Sequence, residues 1–389
     1  MRLGVDASNL RAGGGVTHLT ELLHAADPVA HGFTQVVVWA GKSLLEKIEE
    51  RPWLVKAWVP ALDGGLARRI FWQRTELPQL VRQAGCDALL APGGTGPGGF
   101  QPVITMSRNM LPFEWRELAR YRRSPIGLRL LLLRFAQART LRSAAGVIFL
   151  TRYAREAVTR VTGPLNGTSS IIPHGVSTRF FQALRPQSPI EHYSEARPLR
   201  LLYVSIVDLY KHQWHVVTAV ARLRARGLPL VLDLVGPAYP PALARLRRAI
   251  AACDPRGEFV RYAGAAANTQ LPMHYAEADV CVFASSCENM PNILLEGMAA
   301  GLPIACSNRG PMPEILADAG VYFDPEQPED IARAVAELLS SPQRRAVLAT
   351  RAQQRAQAYS WQRCAGETLE FLAQVVRNYG TPRVVLERC

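Results

Sequence analysis

The chain predicts an α/β fold of two domains, each a parallel sheet covered by helices on both faces. Three observations carry this. Strand-sized apolar segments alternate with amphipathic helical ones along two similar halves, the pattern of parallel sheets with crossover helices. The length of 389 residues exceeds one ordinary domain and fits two. A polar stretch holding Pro186, Pro189 and Pro198 interrupts the pattern near the middle and reads as a linker.

The first half places strands at 2–6, 35–39, 88–90, 102–106, 146–149 and 170–172. The second half places them at 200–206, 230–235, 259–262, 280–284, 303–306 and 321–323. After Asp324-Pro325 the pattern turns helical, over 328–339, 342–358 and 361–379. The expected division is a first domain over 1–180, a linker over 181–198, a second domain over 199–360 and a closing helix within 361–389.

Composition narrows the function. Seven scattered cysteines, with no Cys-x-x-Cys and no zinc-type Cys/His spacing, read as reduced thiols of a cytoplasmic chain. Met1 opens a strand rather than a basic flank and apolar core, so no signal peptide is expected. No apolar run reaches the roughly 18 residues of a membrane span. His212 and His215 lie three apart, but two ligands are too few for a metal, and they read as a surface pair. No metal and no cofactor is expected.

The net charge is +13, and it is uneven. Residues 108–160, from Arg108 to Arg160, hold twelve Arg against three Glu. Bulky rings are mixed with the cations at 113–123, and 128–135 is nearly all apolar. On a helix, Arg139 and Arg142 share a face with Leu128, Leu131 and Phe135. This reads either as a site for an anionic membrane surface or as a solvated helix pair. Nucleic acid is the other partner for so basic a chain, but no motif for it is present, so none is expected.

Chemistry concentrates in the second half. The chain has only four lysines, and one alone, Lys211, follows position 56. It stands just after a strand, where a compact ammonium can reach a phosphate as a point charge. About eighty residues later, Ser285-Ser-Cys-Glu288-Asn-Met-Pro291-Asn-Ile-Leu-Leu-Glu296-Gly-Met-Ala-Ala-Gly301 reads as strand, turn and helix. The amides of Asn289 to Ile293 make an anion site at the helix start. Carboxylates there repel phosphate but accept hydrogen bonds from sugar hydroxyls. Glu288 and Glu296 around such a site therefore imply a diphosphate with a sugar at each end, a nucleotide-sugar. The alternative is that Glu288 caps the helix and Glu296 is an ordinary exposed charge.

The Glu-x7-Glu pair at Glu288 and Glu296 resembles the signature of retaining family-4 glycosyltransferases of GT-B fold. The resemblance runs through nearly the whole chain: the first strand to Asp6, the glycine loop Gly13-Gly-Gly-Val-Thr-His18, Ile171-Ile-Pro-His-Gly-Val176, Leu234-Val-Gly236, Tyr262-Ala-Gly264, Gly310-Pro-Met-Pro-Glu314 and Tyr359-Ser-Trp361. It implies two Rossmann-like domains facing across a cleft, with the last helix crossing back to the first domain. It implies retaining, metal-independent transfer of a hexose-type sugar from a GDP- or UDP-linked donor. The acceptor would be a glycan or lipid-linked glycan of surface polysaccharide synthesis, and the enzyme cytoplasmic, on the inner membrane face.

Carried over, Glu288 orients the donor sugar, Glu296 grips the ribose and Lys211 stabilises the leaving diphosphate. Gly14, Gly15, Ser205, Gly236, Tyr262, Ala263, Asn289, Met290, Pro291 and Asn292 complete the implied donor contacts. Three departures stand out. Ser205 and Ile206 occupy the place of the family's Arg, and His212 that of the Gly after the lysine. A first-domain histidine of the family is replaced in Ser107-Arg108-Asn109, where Asn109 can donate a hydrogen bond but is no base. The missing Arg keeps a non-catalytic nucleotide-sugar-binding protein as an alternative. An epimerase of the same fold is another, though it would need acid and base groups around the sugar.

Overall fold

A computed structural model describes residues 1–11 and 13–379 of the protein. The chain divides into two compact units, residues 1–175 with 361–389, and residues 176–360.

Among its described residues the first unit holds seven parallel strands: β1 Arg2–Asp6, β2 Gln35–Ala40, β3 Leu54–Trp58, β4 Ala88–Ala91, β5 Val103–Met106, β6 Gly146–Phe149 and β7 Thr168–Ile171. Their order is β3-β2-β1-β4-β5-β6-β7. Strand β3 is absent from the sequence expectation for a physical reason. It is an edge strand, half exposed and carrying Lys56, so it has no apolar run. One core cluster joins Trp39, Leu62, Trp72, Leu77 and Leu89 between this sheet and the helices over residues 60–83.

The closing helix Trp361–Tyr379 packs in the first unit, against the helix Gly14–Ala25 and strands β4 and β6. Gly146 permits this approach, because a Cβ there would lie 2.9 Å from Val375. The expected span to 389 extends outside the described residues.

The second unit holds six parallel strands: β8 Leu199–Val204, β9 Leu230–Val235, β10 Val260–Gly264, β11 Val280–Phe283, β12 Ile304–Ser307 and β13 Val321–Phe323. Their order is β10-β9-β8-β11-β12-β13. Strands β8, β11 and β12 are almost wholly buried, as a sheet covered on both faces requires. The order reverses between β8 and β11, which pair through Val280 with Leu201. At such a switch point the loops after the two strands open beside each other.

Residues 181–198, expected as a linker, are fastened to the second unit. Gln182 donates to the Pro272 carbonyl at 2.8 Å, and Arg185 donates to the carbonyls of Ala276 and Ala278. Buried Arg345 reaches the Gln187 side chain and the Ser188 carbonyl. The prolines keep the segment out of the sheet, and side chains hold its backbone in place.

Candidate functional site

The switch point brings Lys211 and Glu288 together. The loop after β8 carries Lys211 and the loop after β11 carries Glu288, and the ammonium forms an ion pair with the carboxylate. Only 5% of the Lys211 side chain and 14% of the Glu288 side chain is exposed. The ammonium also lies 5.1 Å from the Tyr210 ring centroid and 5.3 Å from that of Phe283, within cation–π range. Two charges so enclosed are stable only with partners of this kind.

Further contacts stitch the two loops. The Tyr203 hydroxyl donates to the Lys211 carbonyl at 2.7 Å. The Ser286 amide donates to the Tyr210 carbonyl at 2.8 Å, and the His212 Nε2 lies 2.9 Å from the Ser286 hydroxyl. His212 is wholly buried and has φ 52°, ψ 27°. That left-handed conformation explains why glycine suits the position after the lysine. The expected surface histidine pair is therefore corrected. His212 is a core residue, stacked 5.3 Å from the His215 ring, while His215 Nδ1 contacts the Pro325 carbonyl.

The loop with Glu288 runs into the helix Asn292–Ala299, whose cap residue is Pro291. Pro291 and not Glu288 holds the cap position, and its ring makes no cap hydrogen bond. Asn289 and Met290 are buried, and Asn292 is half-buried. Gly301 closes the far end with φ +65°.

Glu296 is not an exposed charge either. It is 7% exposed, and Oε2 accepts a hydrogen bond from the Tyr275 hydroxyl at 3.0 Å. Burial pushes its carboxyl up to about 7, against the pull of Tyr275 and Arg179.

The neighbouring loops are tied by backbone. Ser205 donates its amide to the Val235 carbonyl at 2.8 Å, and its buried hydroxyl has no hydrogen-bond partner among the described residues. Gly236 has φ +148° and sits on the Ser205 carbonyl, which a Cβ would meet at 2.0 Å. The Tyr262 hydroxyl donates to the Gly236 carbonyl at 3.0 Å, while Ala263 is exposed. Ile206, in the place of the family's Arg, is 37% exposed.

In the first unit, Gly14 and Gly15 begin the helix Gly14–Ala25. The Arg108 guanidinium donates to the Gly14 carbonyl at 2.5 Å and to that of Gly15 at 3.2 Å. Burial lowers Arg108 to about 10. Asn109, expected as a donor, uses its Oδ1 to accept the Leu111 amide at 3.1 Å.

Sequence reasoning missed Tyr203, Tyr275, Ser286 and the packing around His18. His18 is buried edge-on to Trp361 at 5.4 Å and to His174 at 6.1 Å. Neither of its ring nitrogens has a hydrogen-bond partner among the described residues. Burial, then the charges of Arg108 and His174, hold it well below the usual histidine range. A single histidine in a glycine-rich helix start carries no sequence signal of this.

Residues 186–355, all within the second unit, match the family model Glycosyl transferases group 1. The chain is similar to the O-antigen chain mannosyltransferase B of Escherichia coli, 32% identical over 114 residues, or 29% of this chain and 30% of that protein. It is also similar to the GDP-mannose-dependent alpha-(1-6)-phosphatidylinositol dimannoside mannosyltransferase of Mycobacterium tuberculosis, 30% identical over 241 residues, or 61% of this chain and 60% of that protein. In both cases the match spans less than two thirds of the relative's length.

Among solved structures, sucrose-phosphate synthase from Thermosynechococcus elongatus superposes with a TM-score of 0.75 at 18% identity, over 97% of this chain and 100% of that one. WaaG, a glycosyltransferase of lipopolysaccharide biosynthesis, gives 0.66 at 15% identity, over 95% and 99%. The fold is thus GT-B, two Rossmann-like parallel-sheet units.

Proposed function

We propose that the protein is a retaining glycosyltransferase that moves a hexose-type sugar from a GDP- or UDP-linked donor to a glycan or lipid-linked glycan of surface polysaccharide synthesis. One observation carries this most. A buried lysine and a half-buried carboxylate meet at the sheet's switch point, the carboxylate in a loop that leads into a helix start. The names of the relatives, two mannosyltransferases, support a sugar-transfer class.

In this reading the second unit holds the donor and the first the acceptor. The diphosphate takes over the Lys211 ammonium, and Glu288 turns to the sugar hydroxyls. The bond from the anomeric carbon to the diphosphate oxygen breaks first. The acceptor hydroxyl oxygen then bonds to that carbon from the same face. Its proton passes to the departing phosphate oxygen, so no side-chain base is needed. Fixed positive groups aimed at growing charge are the largest single source of such catalysis. Lys211 and the amides over 289–293 fill that role here, with no metal required.

The test is a panel of nucleotide-sugars scored by thermal stabilisation, then transfer and hydrolysis with the best binder. The product anomer, read by NMR, should keep the donor's configuration. Exposed Ile206 at the usual place of an Arg favours the second reading, a nucleotide-sugar-binding protein without turnover. Stabilisation with neither hydrolysis nor transfer would select it.

A further inference from the structure

One face of the first unit belongs to neither the donor site nor the sheet. The helix Pro125–Ser143 exposes Leu128 (64%), Leu132 (62%) and Phe135 (66%). Spacings of four and three set them in one stripe, which exposed Arg139 and Arg142 continue. Leu131, expected on this face, is half-buried, and Leu132 takes its place. Trp115 is 63% exposed, with the Arg134 guanidinium 5.8 Å from its ring.

A second helix, Leu66–Thr75, adds exposed Leu66, Ile70 and Phe71. It lies outside the basic segment read from sequence. The two helices meet at one loop. Gln73 donates to the Thr95 carbonyl at 3.1 Å, and Gln137 and Thr140 press on Gly94 and Gly96. Both belong to crossovers running the same way across the sheet, so right-handed connections place them on the same sheet face. Large apolar side chains gathered this way mark a surface that something covers.

Charge says what covers it. The helix Pro125–Ser143 has four arginines and no acidic residue, and the helix Leu66–Thr75 has three and none. Among the described residues no carboxylate pairs with Arg69, Arg129, Arg139 or Arg142. Arg69 lies close enough to Arg11 and to Arg129 for its charge to be repelled by each. Apolar side chains between unneutralised arginines match the boundary of a bilayer with anionic head groups, where alkyl stems reach inward and guanidinium groups meet phosphate. We infer that this two-helix face docks on an anionic lipid surface.

The test uses the full chain and co-sedimentation with vesicles, either phosphatidylcholine alone or mixed with phosphatidylglycerol. Mixed vesicles should bind at least about tenfold more tightly at low salt and release the protein at high salt, as several arginines each weighted about fivefold predict. Arg129→Gln should weaken binding about fivefold. Leu132→Glu with Phe135→Glu, and separately Phe71→Glu, should abolish it while leaving melting temperature and donor-induced stabilisation unchanged. The inference is overturned by no binding to mixed vesicles or by equal binding to both kinds. It is also overturned if the variants melt like the parent and still bind. A dimer that Leu132→Glu dissociates would overturn it too, since a second copy would then cover the face.

Discussion

The Lys211 ammonium and the Glu288 carboxylate, 77 residues apart, form one largely enclosed ion pair. Each had a separate role on sequence grounds, the lysine for phosphate and the glutamate for sugar. In the proposed reaction the pairing makes their roles sequential, because a diphosphate would have to compete with Glu288 for the ammonium.

Lys211→Ala should cut turnover about 100-fold or more while changing donor affinity less than about tenfold, since the lysine serves charge that grows in the transition state. It should also destabilise the fold by about 1–3 kcal/mol, because the half-buried Glu288 carboxylate is left without its partner. The double variant with Glu288→Ala should cost less than the sum of the two single changes. Kinetics and denaturant melts check each part, and additive losses would mean the pair contributes nothing as a pair.

Glu296 predicts a pH dependence. Its carboxyl is raised by burial from 4.5 to about 7, so the folded chain keeps a proton that the unfolded chain releases between those values. The contribution of Glu296 to stability is therefore fullest below pH 4.5 and is lost as pH rises through 7, by on the order of 3 kcal/mol. Glu296→Gln should flatten this slope and stand above the parent at pH 8. Melts across pH 4 to 9, on a ~1-unit grid, settle it; a parent slope unchanged in the variant points to another group.

At His212 two substitutions separate backbone from side chain. His212→Ala keeps the left-handed conformation and loses the contact with Ser286, whereas His212→Gly loses the contact but relieves the backbone. Alanine should therefore be less stable than glycine by about 1 kcal/mol. The reverse order in a denaturant series would mean the backbone at 212 relaxes freely.

Gly236→Ala should be among the most damaging small changes. Its Cβ would meet the Ser205 carbonyl at 2.0 Å, and neither backbone can yield without opening the pairing of β8 with β9. A loss of at least about 2 kcal/mol is expected. A near-parent melting temperature would show that the two loops separate at little cost.

Much of the architecture could be read from residue order. Val280 to Phe283 and Leu230 to Val235 are apolar runs of strand length, and strands are where they lie. Pro291 and Gly301 bracket the helix between them as the turn chemistry predicts. Leu54–Trp58 was not legible, because an edge strand needs no unbroken apolar run. Nor was the role of Arg108, whose hydrogen bonds hold the glycine helix start.

What the sequence by itself determined is local: which segments extend, which coil, and which residues bear charge beside a turn. Periodicity and capping act within a few residues, so they can be read in order along the chain. The tertiary structure alone decided that Lys211 touches Glu288, that Glu296 is sealed under Tyr275, and that His212 lies in the core. Those facts follow from the adjacency of β8 and β11 and from the packing of helices over the sheet, and contacts between distant segments leave no periodic trace in the letters.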